Sequence, residues 1–294
     1  MATDRIDGTA VTGGWISGFL GMVIFSGSLP ATRVAVMAFD PVFLTAARAA
    51  IAGLLGLALL LALRQRRPSR SDLPSLAIVA LGVVVGFPLL TAMALQYVSS
   101  AHSILFIGLL PLATATFGYV RAGERPRPGF WLFSILGAAL VVGYALAQGI
   151  GSITWGDPLM LAAIVVCGLG YAEGGRLSRT VGGWQVISWA LVLSLPAMLV
   201  LTWATLPSGF GHVDAAAWTG LAYVSLFSML IGFVFWYRGL ALGGIAAVGQ
   251  LQLLQPFFGL ALAALLLGEA VSVTMLALTL GVVACVVGAR RFSR

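Results

Sequence analysis

The chain contains no lysine and little charge of any kind. All 16 basic residues are arginine, and charged residues make up only 9% of the 294 positions, against roughly 25% in soluble proteins. Without lysine the chain has neither a P-loop nucleotide site nor a Schiff-base lysine. It is rich in apolar residues instead, with 60% hydrophobic positions and a mean hydropathy of +1.05. These values indicate an all-α polytopic membrane protein.

Cysteine and histidine are also scarce. Cys167 and Cys285 lie in apolar runs, and we interpret them as small buried side chains, not as a disulfide or metal site. The two histidines, His102 and His212, lie in different halves of the chain, which excludes the His-Glu-x-x-His motif of a metalloprotease. No aspartate is central in an apolar run, which excludes an aspartyl protease. We therefore expect no enzyme activity and no cofactor.

The apolar residues form ten segments, which we number spans one to ten. A helix needs about 20 apolar residues to cross a bilayer, and the loops between the segments are too short for a soluble domain. The predicted spans are 15–37, 41–63, 73–95, 101–120, 129–147, 157–171 or slightly beyond, 184–206, 215–237, 245–267 and 271–289.

The arginines predict how the spans are oriented. If the N-terminus is cytoplasmic, every arginine except Arg33 and Arg48 falls at a cytoplasmic span end. The opposite span ends carry acidic residues instead: Asp40, Asp157, Asp214 and Glu269. Short cytoplasmic loops are rich in arginine, so both termini are predicted to be cytoplasmic. The same rule explains the net charge of +7 without nucleic-acid binding.

One motif occurs twice, once in each half of the chain. GLLPLATATFGYVRAGE carries Pro111 and Glu124, and LLQPFFGLALAALLLGE carries Pro256 and Glu269, with the same spacing from proline to glutamate in both. Each half contains five spans, and because this number is odd, the second half begins on the opposite side of the membrane. The two copies of the motif therefore have opposite orientations. We therefore predict two inverted repeats, residues 1–150 and 151–294, with a site at the midplane where they meet.

The doubled motif, the ten short spans and the 5 + 5 repeat resemble the EamA-type transporters of the drug/metabolite transporter superfamily. The segment FSGSLPATRVAV is most similar to the YddG-type amino acid exporters. The resemblance implies a metabolite exporter of the bacterial inner membrane, with spans one, three, four, six, eight and nine around a central cavity and spans five and ten at the periphery. It also implies that Glu124 and Glu269 carry the family's motif glutamate, which we expect to be structural.

Polar residues and prolines inside the spans are the candidates for the cavity. Proline at the midplane frees a backbone carbonyl for a ligand, although a packed kink is an equal alternative. Gln252 and Gln255 share a helix face and are expected in the cavity, while Gln250 points away and is expected to bond another helix. The full candidate set is Ser26, Ser28, Thr32, His102, Pro111, Tyr171, Gln252, Gln255 and Pro256.

Ionisable and aromatic side chains within spans leave more than one interpretation. Arg48, about 10 Å from the outer face, is expected to snorkel outward or to bond backbone carbonyls. Glu173 is expected to pair with Arg176, three residues further on, or to carry a coupling proton. His102 is either solvated at the outer rim or proton-coupling. Trp236 and Tyr237 are expected in the interfacial belt, with an aromatic gate as the alternative.

The inverted repeat with its paired midplane prolines predicts a secondary transporter that works by alternating access. The resemblance implies that it exports small metabolites, in particular amino acids including aromatic ones. The alternatives are a carrier of other metabolites or drugs and a membrane sensor that does not transport. The lack of midplane basic residues argues against phosphate-bearing substrates. We expect the lipid bilayer and a small molecule as partners, no nucleic acid, and a monomer as the working hypothesis.

Overall fold

The computed structural model describes residues 8–98, 103, 106–147, 154–211, 213–259, 261 and 273–293. Two of the predicted site residues, His102 and Glu269, lie outside the described residues. The described part of the chain contains helices and no strand. In chain order the helices are Gly8–Ser26 and Ser28–Val36 (span one), Pro41–Ala62 (two), Leu73–Val79, Ala80–Gly86 and Phe87–Ala94 (three), Leu110–Ala122 (four), Pro128–Ala147 (five), Gly156–Val181 (six), Gly183–Ala204 (seven), Ala215–Tyr223, Val224–Ile231 and Gly232–Gly243 (eight), Ile245–Gly249 and Gln250–Leu254 (nine) and Val273–Arg291 (ten).

Within those described ranges, six helical stretches are long and apolar enough to cross a membrane, in spans one, two, three, six, seven and eight. Span five contains a shorter apolar helix. The chain is therefore a helical protein with several membrane spans. Spans four, nine and ten are described only in part, so the count of ten stays a prediction.

Helix irregularities recur at matching places in the two halves. Span three contains a π-helical segment, Ala80–Gly86, and span eight contains another, Val224–Ile231. When the halves are aligned on Pro111 and Pro256, the two segments begin and end at almost the same positions of the repeat. Such π segments widen a helix locally and often occur at functional sites. The two π segments therefore occupy equivalent positions in the two repeats.

Spans six and eight are longer than predicted. Span six continues to Val181, well past the predicted end, and span eight continues to Gly243. The hydropathy of span six falls after Tyr171 because of glycine and charged residues, yet the glycines allow close helix packing. A methyl group on Gly175 would lie 2.9 Å from the Cβ of Leu240 in span eight.

Small residues bring spans one and eight into contact, as the Gly14-x-x-x-Gly18 spacing predicts. A methyl group on Gly14 would lie 2.6 Å from the backbone nitrogen of Gly243, and one on Gly239 would lie 2.6 Å from the Cα of Gly18. Gly82 likewise leaves no room for a methyl group, which would lie 2.7 Å from a carbonyl oxygen of span six. These contacts join helices from different halves.

The arginine-rich loops meet at one end of the helix bundle. The Gln185 side chain donates to the Gln65 side chain at 3.3 Å, and the Arg127 backbone donates to the Phe292 carbonyl at 2.9 Å. We call this end, formed by residues 63–72, 122–128, 176–183, 238–245 and 290–293, the arginine face.

Two aspartates begin helices at the other end of the bundle. The Asp40 carboxylate accepts from the backbone N–H groups of Val42 and Phe43 at 2.8 and 3.1 Å, and Asp214 accepts from Ala217 at 2.8 Å. A carboxylate at this position satisfies N–H groups that have no partner within the helix. These acidic residues therefore have a local structural role at their span ends.

Candidate functional site

A central cavity lies between the two halves, and in this conformation it has room for about one water molecule. Spans one, three, four, six, eight and nine contribute to its walls, as the resemblance implies, and span two contributes as well. Leu110 and Gln255, next to the two motif prolines, place the cavity at the level of those prolines. Its lining is Phe25, Ser28, Leu29, Arg48, Val83, Phe87, Pro88, Ile107, Leu110, Tyr171, Ser228, Phe233 and Gln255.

The polar part of the cavity is a chain of two hydroxyls and one guanidinium. Ser28 donates to the Ser228 hydroxyl at 2.8 Å, and the Nη2 of Arg48 donates to the same hydroxyl at 3.2 Å. Ser28 follows the helix break at Gly27, and Ser228 lies in the π segment of span eight. The Ser228 hydroxyl thus receives hydrogen bonds from Ser28 and Arg48 of the first half, across the boundary between the halves.

Arg48 neither snorkels outward nor bonds backbone carbonyls among the described hydrogen bonds, so both expectations for it are wrong. Its side chain is only 5% exposed and lines the cavity. The argument that no basic residue lies near the midplane therefore fails too. Span two packs against spans seven and eight, so the arginine side of the helix faces protein and not lipid. Among the polar residues of the lining, Arg48 and Ser228 were not in the candidate set. An arginine in a long apolar run was the sequence signal that could have identified Arg48.

Side chains satisfy the carbonyls around the break in span one. The Gln255 amide donates to the Phe25 carbonyl at 3.1 Å, and the Tyr223 hydroxyl donates to the Ile24 carbonyl at 2.6 Å. The helix is broken at Gly27, so the last carbonyls of the segment Gly8–Ser26 need other donors. Gln255 therefore both lines the cavity and links span nine to span one.

An aromatic cluster forms another wall of the cavity. The Tyr171 ring lies 6.3 Å from Phe25, 5.9 Å from Phe233 and 5.3 Å from Trp236, measured between ring centroids. Trp236 and Tyr237 are fully buried, so the expected position in the interfacial belt is wrong. Span eight continues to Gly243, which places both residues well inside the helix. The Tyr237 hydroxyl donates to the Gly170 carbonyl at 3.1 Å.

Glu173 connects the halves between the aromatic cluster and the arginine face. Its carboxylate is fully buried and pairs with Arg176 at 2.5 Å, as the three-residue spacing predicts. It also pairs with Arg121 of span four at 3.0 Å, a partner that sequence reasoning missed. Arg176 in turn donates to Ser75 of span three at 2.9 Å. These contacts join the two halves at this end of the bundle.

Glu124 ends span four and caps span nine. Gly123 adopts a left-handed conformation with φ of 67°, which ends the helix and turns Glu124 toward the other half. The carboxylate accepts from the backbone N–H groups of Ile245 and Ala246 at 2.8 and 2.7 Å and pairs with Arg179 at 2.5 Å. The Gly-Glu pair is thus a C-terminal stop for one span and an N-terminal cap for another.

Several predicted candidates lie outside the cavity lining. The Ser26 hydroxyl donates to the Met22 carbonyl of its own helix at 3.0 Å, and Thr32 is buried but does not line the cavity. Pro111 lies in the first turn of the described helix Leu110–Ala122, and Pro256 lies two residues after the 3₁₀ segment Gln250–Leu254. The structure therefore brings Ser28, Tyr171 and Gln255 together and leaves the other described candidates outside.

Gln250 and Gln252 lie toward the arginine face from Gln255. Both side chains are fully buried, and neither amide finds a hydrogen-bond partner in the part of the chain that the structure describes. The hydrogen bond expected between Gln250 and another helix is therefore not formed with any described residue. Gln252 is one 3₁₀ turn from Gln255, about 6 Å along the axis, which puts it beyond the cavity. The described residues also contain no group of His, Cys, Asp and Glu that could hold a metal.

The family model of the EamA-like transporters matches the chain twice, over residues 12–146 and 154–290. The chain belongs to the EamA-like transporter family. It is 65% identical to "Uncharacterized transporter YdeK" of Bacillus subtilis (strain 168), over 96% of this chain and 99% of that protein. It is 27% identical to a "Probable terminal-alkyne amino-acid exporter" of Streptantibioticus cattleyicolor, over 85% of this chain and 84% of that protein.

A protein of known crystal structure has the same fold. Its chain superposes with a TM-score of 0.76 at 22% identity, over 95% of this chain and 96% of that chain. The fold is thus the two-repeat fold of the family. The protein is a membrane transporter, and the family membership carries that conclusion.

Proposed function

We propose that this transporter exports amino acids, including aromatic ones, across the bacterial inner membrane by alternating access of the central cavity. The observation that carries the proposal is the cavity itself, which joins an arginine and two hydroxyls to a wall of aromatic rings. The polar side suits the charged head of an amino acid, and the rings suit a large apolar side chain. The distant relative named as an amino-acid exporter supports the same substrate class.

Alternating access requires that the halves separate on one face at a time. In the conformation described here, the Glu173 and Glu124 ion pairs hold the halves together at the arginine face. We place this face in the cytoplasm, because short loops rich in arginine stay inside. Export then needs these contacts to open for substrate entry and to close before release.

The coupling of transport to protons is the part of the mechanism with two candidates. Glu173 is held by two arginines, an arrangement that favours its charged form. We therefore propose facilitated exit down the substrate gradient. Proton antiport is the second candidate, because protonation of Glu173 would weaken its ion pair with Arg121 and so loosen the contact between the halves. An imposed pH gradient across proteoliposomes distinguishes them, since antiport predicts a change in rate and facilitated exit predicts none.

Reconstituted liposomes test the proposed substrate class. We expect uptake of radiolabelled phenylalanine, tyrosine or tryptophan above that of empty vesicles. Leu29→Trp places a large ring at the cavity and should abolish the flux, whereas Leu54→Trp, the same change at a side chain that is 51% exposed, should retain it. Absence of flux for these three and for the other proteinogenic amino acids, tested in the same way, would refute the amino acid proposal.

A further inference from the structure

Arg48 is a buried cation that lacks a counter-ion among the described residues. Its side chain is 5% exposed, its described hydrogen bond goes to the neutral Ser228 hydroxyl, and its Nε has no partner in the described part of the chain. The acidic residues that the structure describes are engaged elsewhere, in caps, turns and ion pairs at or near span ends: Asp40, Asp72, Glu124, Asp157, Glu173 and Asp214.

A buried charge without a partner is costly, and a guanidinium is stabilised best by an anion that matches its planar fork. A carboxylate does so with two parallel hydrogen bonds. We propose that Arg48 binds the carboxylate of the transported substrate, with the hydroxyls of Ser28 and Ser228 beside it. The inference rests on the proposed function for the transport step, but the binding step stands by itself.

The charge and lining of the cavity select the class of anion. Arg48 is the one charged residue in the described lining, and phosphate groups carry more negative charge than a single arginine neutralises. Most of the remaining lining is apolar, with the rings of Phe25, Tyr171 and Phe233 on the wall. The ligand is therefore a monocarboxylate with an apolar or aromatic side chain. A zwitterionic amino acid belongs to this class, and the ammonium group is not needed for recognition by Arg48.

The same contact gives a route from binding to motion. Arg48 belongs to the first half, and its partner Ser228 belongs to the second. A carboxylate that accepts from the unpartnered Nε and from Nη2 would share Nη2 with the serine hydroxyl. Substrate binding would then weaken one link between the halves, which is the change that alternating access needs.

Calorimetric titration of the purified full-length protein in detergent tests the proposal with three matched ligands. Phenylalanine has both charged groups, phenylalaninamide lacks the carboxylate, and 3-phenylpropanoate lacks the ammonium group. We expect the two carboxylates to bind at least about tenfold more tightly than the amide, which is the usual effect of a hydrogen bond to a charged group. The wild-type protein alone provides this comparison, so it does not depend on the folding of any variant.

Variants then assign the effect to one side chain. Arg48→Gln should reduce the difference between acid and amide to less than about threefold, and Arg48→Lys should keep part of it, since the charge remains but the fork is lost. Arg238→Gln removes the same charge at an exposed position and should leave the difference intact. An acid preference that survives in Arg48→Gln, or a wild-type protein that binds the amide as well as the acid, overturns the proposal.

The two proposals fail in different ways. If 3-phenylpropanoate binds through Arg48 while no amino acid is transported, the carboxylate site stands and the amino acid function falls. If phenylalanine is transported but its affinity does not depend on Arg48, the function stands and the carboxylate site falls.

Discussion

The double role of Glu124 gives a prediction whose size follows from the structure. Its carboxylate caps two backbone N–H groups at the start of span nine and pairs with Arg179. Loss of a helix cap costs about 0.5–2 kcal/mol. The Arg179 side chain is 37% exposed and that of Glu124 is 15% exposed, so their ion pair adds at most about 1 kcal/mol.

Glu124→Ala should therefore lower the free energy of unfolding by about 0.5–3 kcal/mol, the sum of the two contributions. Glu124→Gln retains one acceptor oxygen and should cost about 1 kcal/mol. Arg179→Gln removes the ion pair and keeps the cap, so it should cost less than about 1 kcal/mol. Titration with SDS in mixed micelles, followed by tryptophan fluorescence, measures all three variants under the same conditions.

The order of the three values is the test. The capping argument is refuted if Glu124→Ala and Arg179→Gln unfold at the same SDS concentration, because the ion pair would then account for the whole effect. Binding of phenylalanine by Glu124→Gln provides a second readout, and we expect its affinity to be retained, since the carboxylate lies outside the cavity lining.

Three further changes test other parts of the structure. Gly14→Ala places a methyl group 2.6 Å from a backbone nitrogen of span eight, whereas the methyl group of the control Gly13→Ala meets nothing within 4 Å. We expect only Gly14→Ala to lower the yield of folded protein on size-exclusion chromatography. Equal yields of the two variants would contradict the packing of spans one and eight. Glu173→Gln removes a charge shared by two arginines, so the arginine face should open more often and maleimide should label the buried Cys167 about fivefold faster, the factor for about 1 kcal/mol. An unchanged labelling rate would show that these ion pairs do not hold the face closed. Gln252→Leu removes two buried amide atoms without a described partner and should raise the free energy of unfolding by about 1 kcal/mol in the same SDS titration; a decrease would show that the amide is hydrogen-bonded.

Helix ends were predicted well where a strong local signal marks them and poorly where packing extends the helix. Asp40 and Pro41 mark the start of span two, and Gly123 marks the end of span four. Span six has no such stop at Tyr171. Its glycines lower the hydropathy there, but contacts with spans three and eight continue the helix to Val181.

The candidate site was predicted in part for a related reason. Ser28, Tyr171 and Gln255 reach the cavity, whereas Ser26 bonds its own helix and Gln252 is buried beyond the cavity. A helical wheel assumes a regular helix, and spans one and nine are interrupted where these residues lie. The irregular segments change both the direction and the depth of each side chain.

The sequence by itself determined the membrane class, the doubled motif and the clustering of arginine at one end. These properties are sums over many residues or exact spacings along the chain, so they do not depend on how the helices are rotated. Only the tertiary structure decided that Arg48 enters the cavity, that Glu124 caps Ile245, and that Trp236 is buried. Lipid and the interior of a helix bundle are similarly apolar, so the composition of a span does not specify which side of the helix faces lipid and which side faces the other helices. That choice is made by contacts between residues that lie far apart in the sequence.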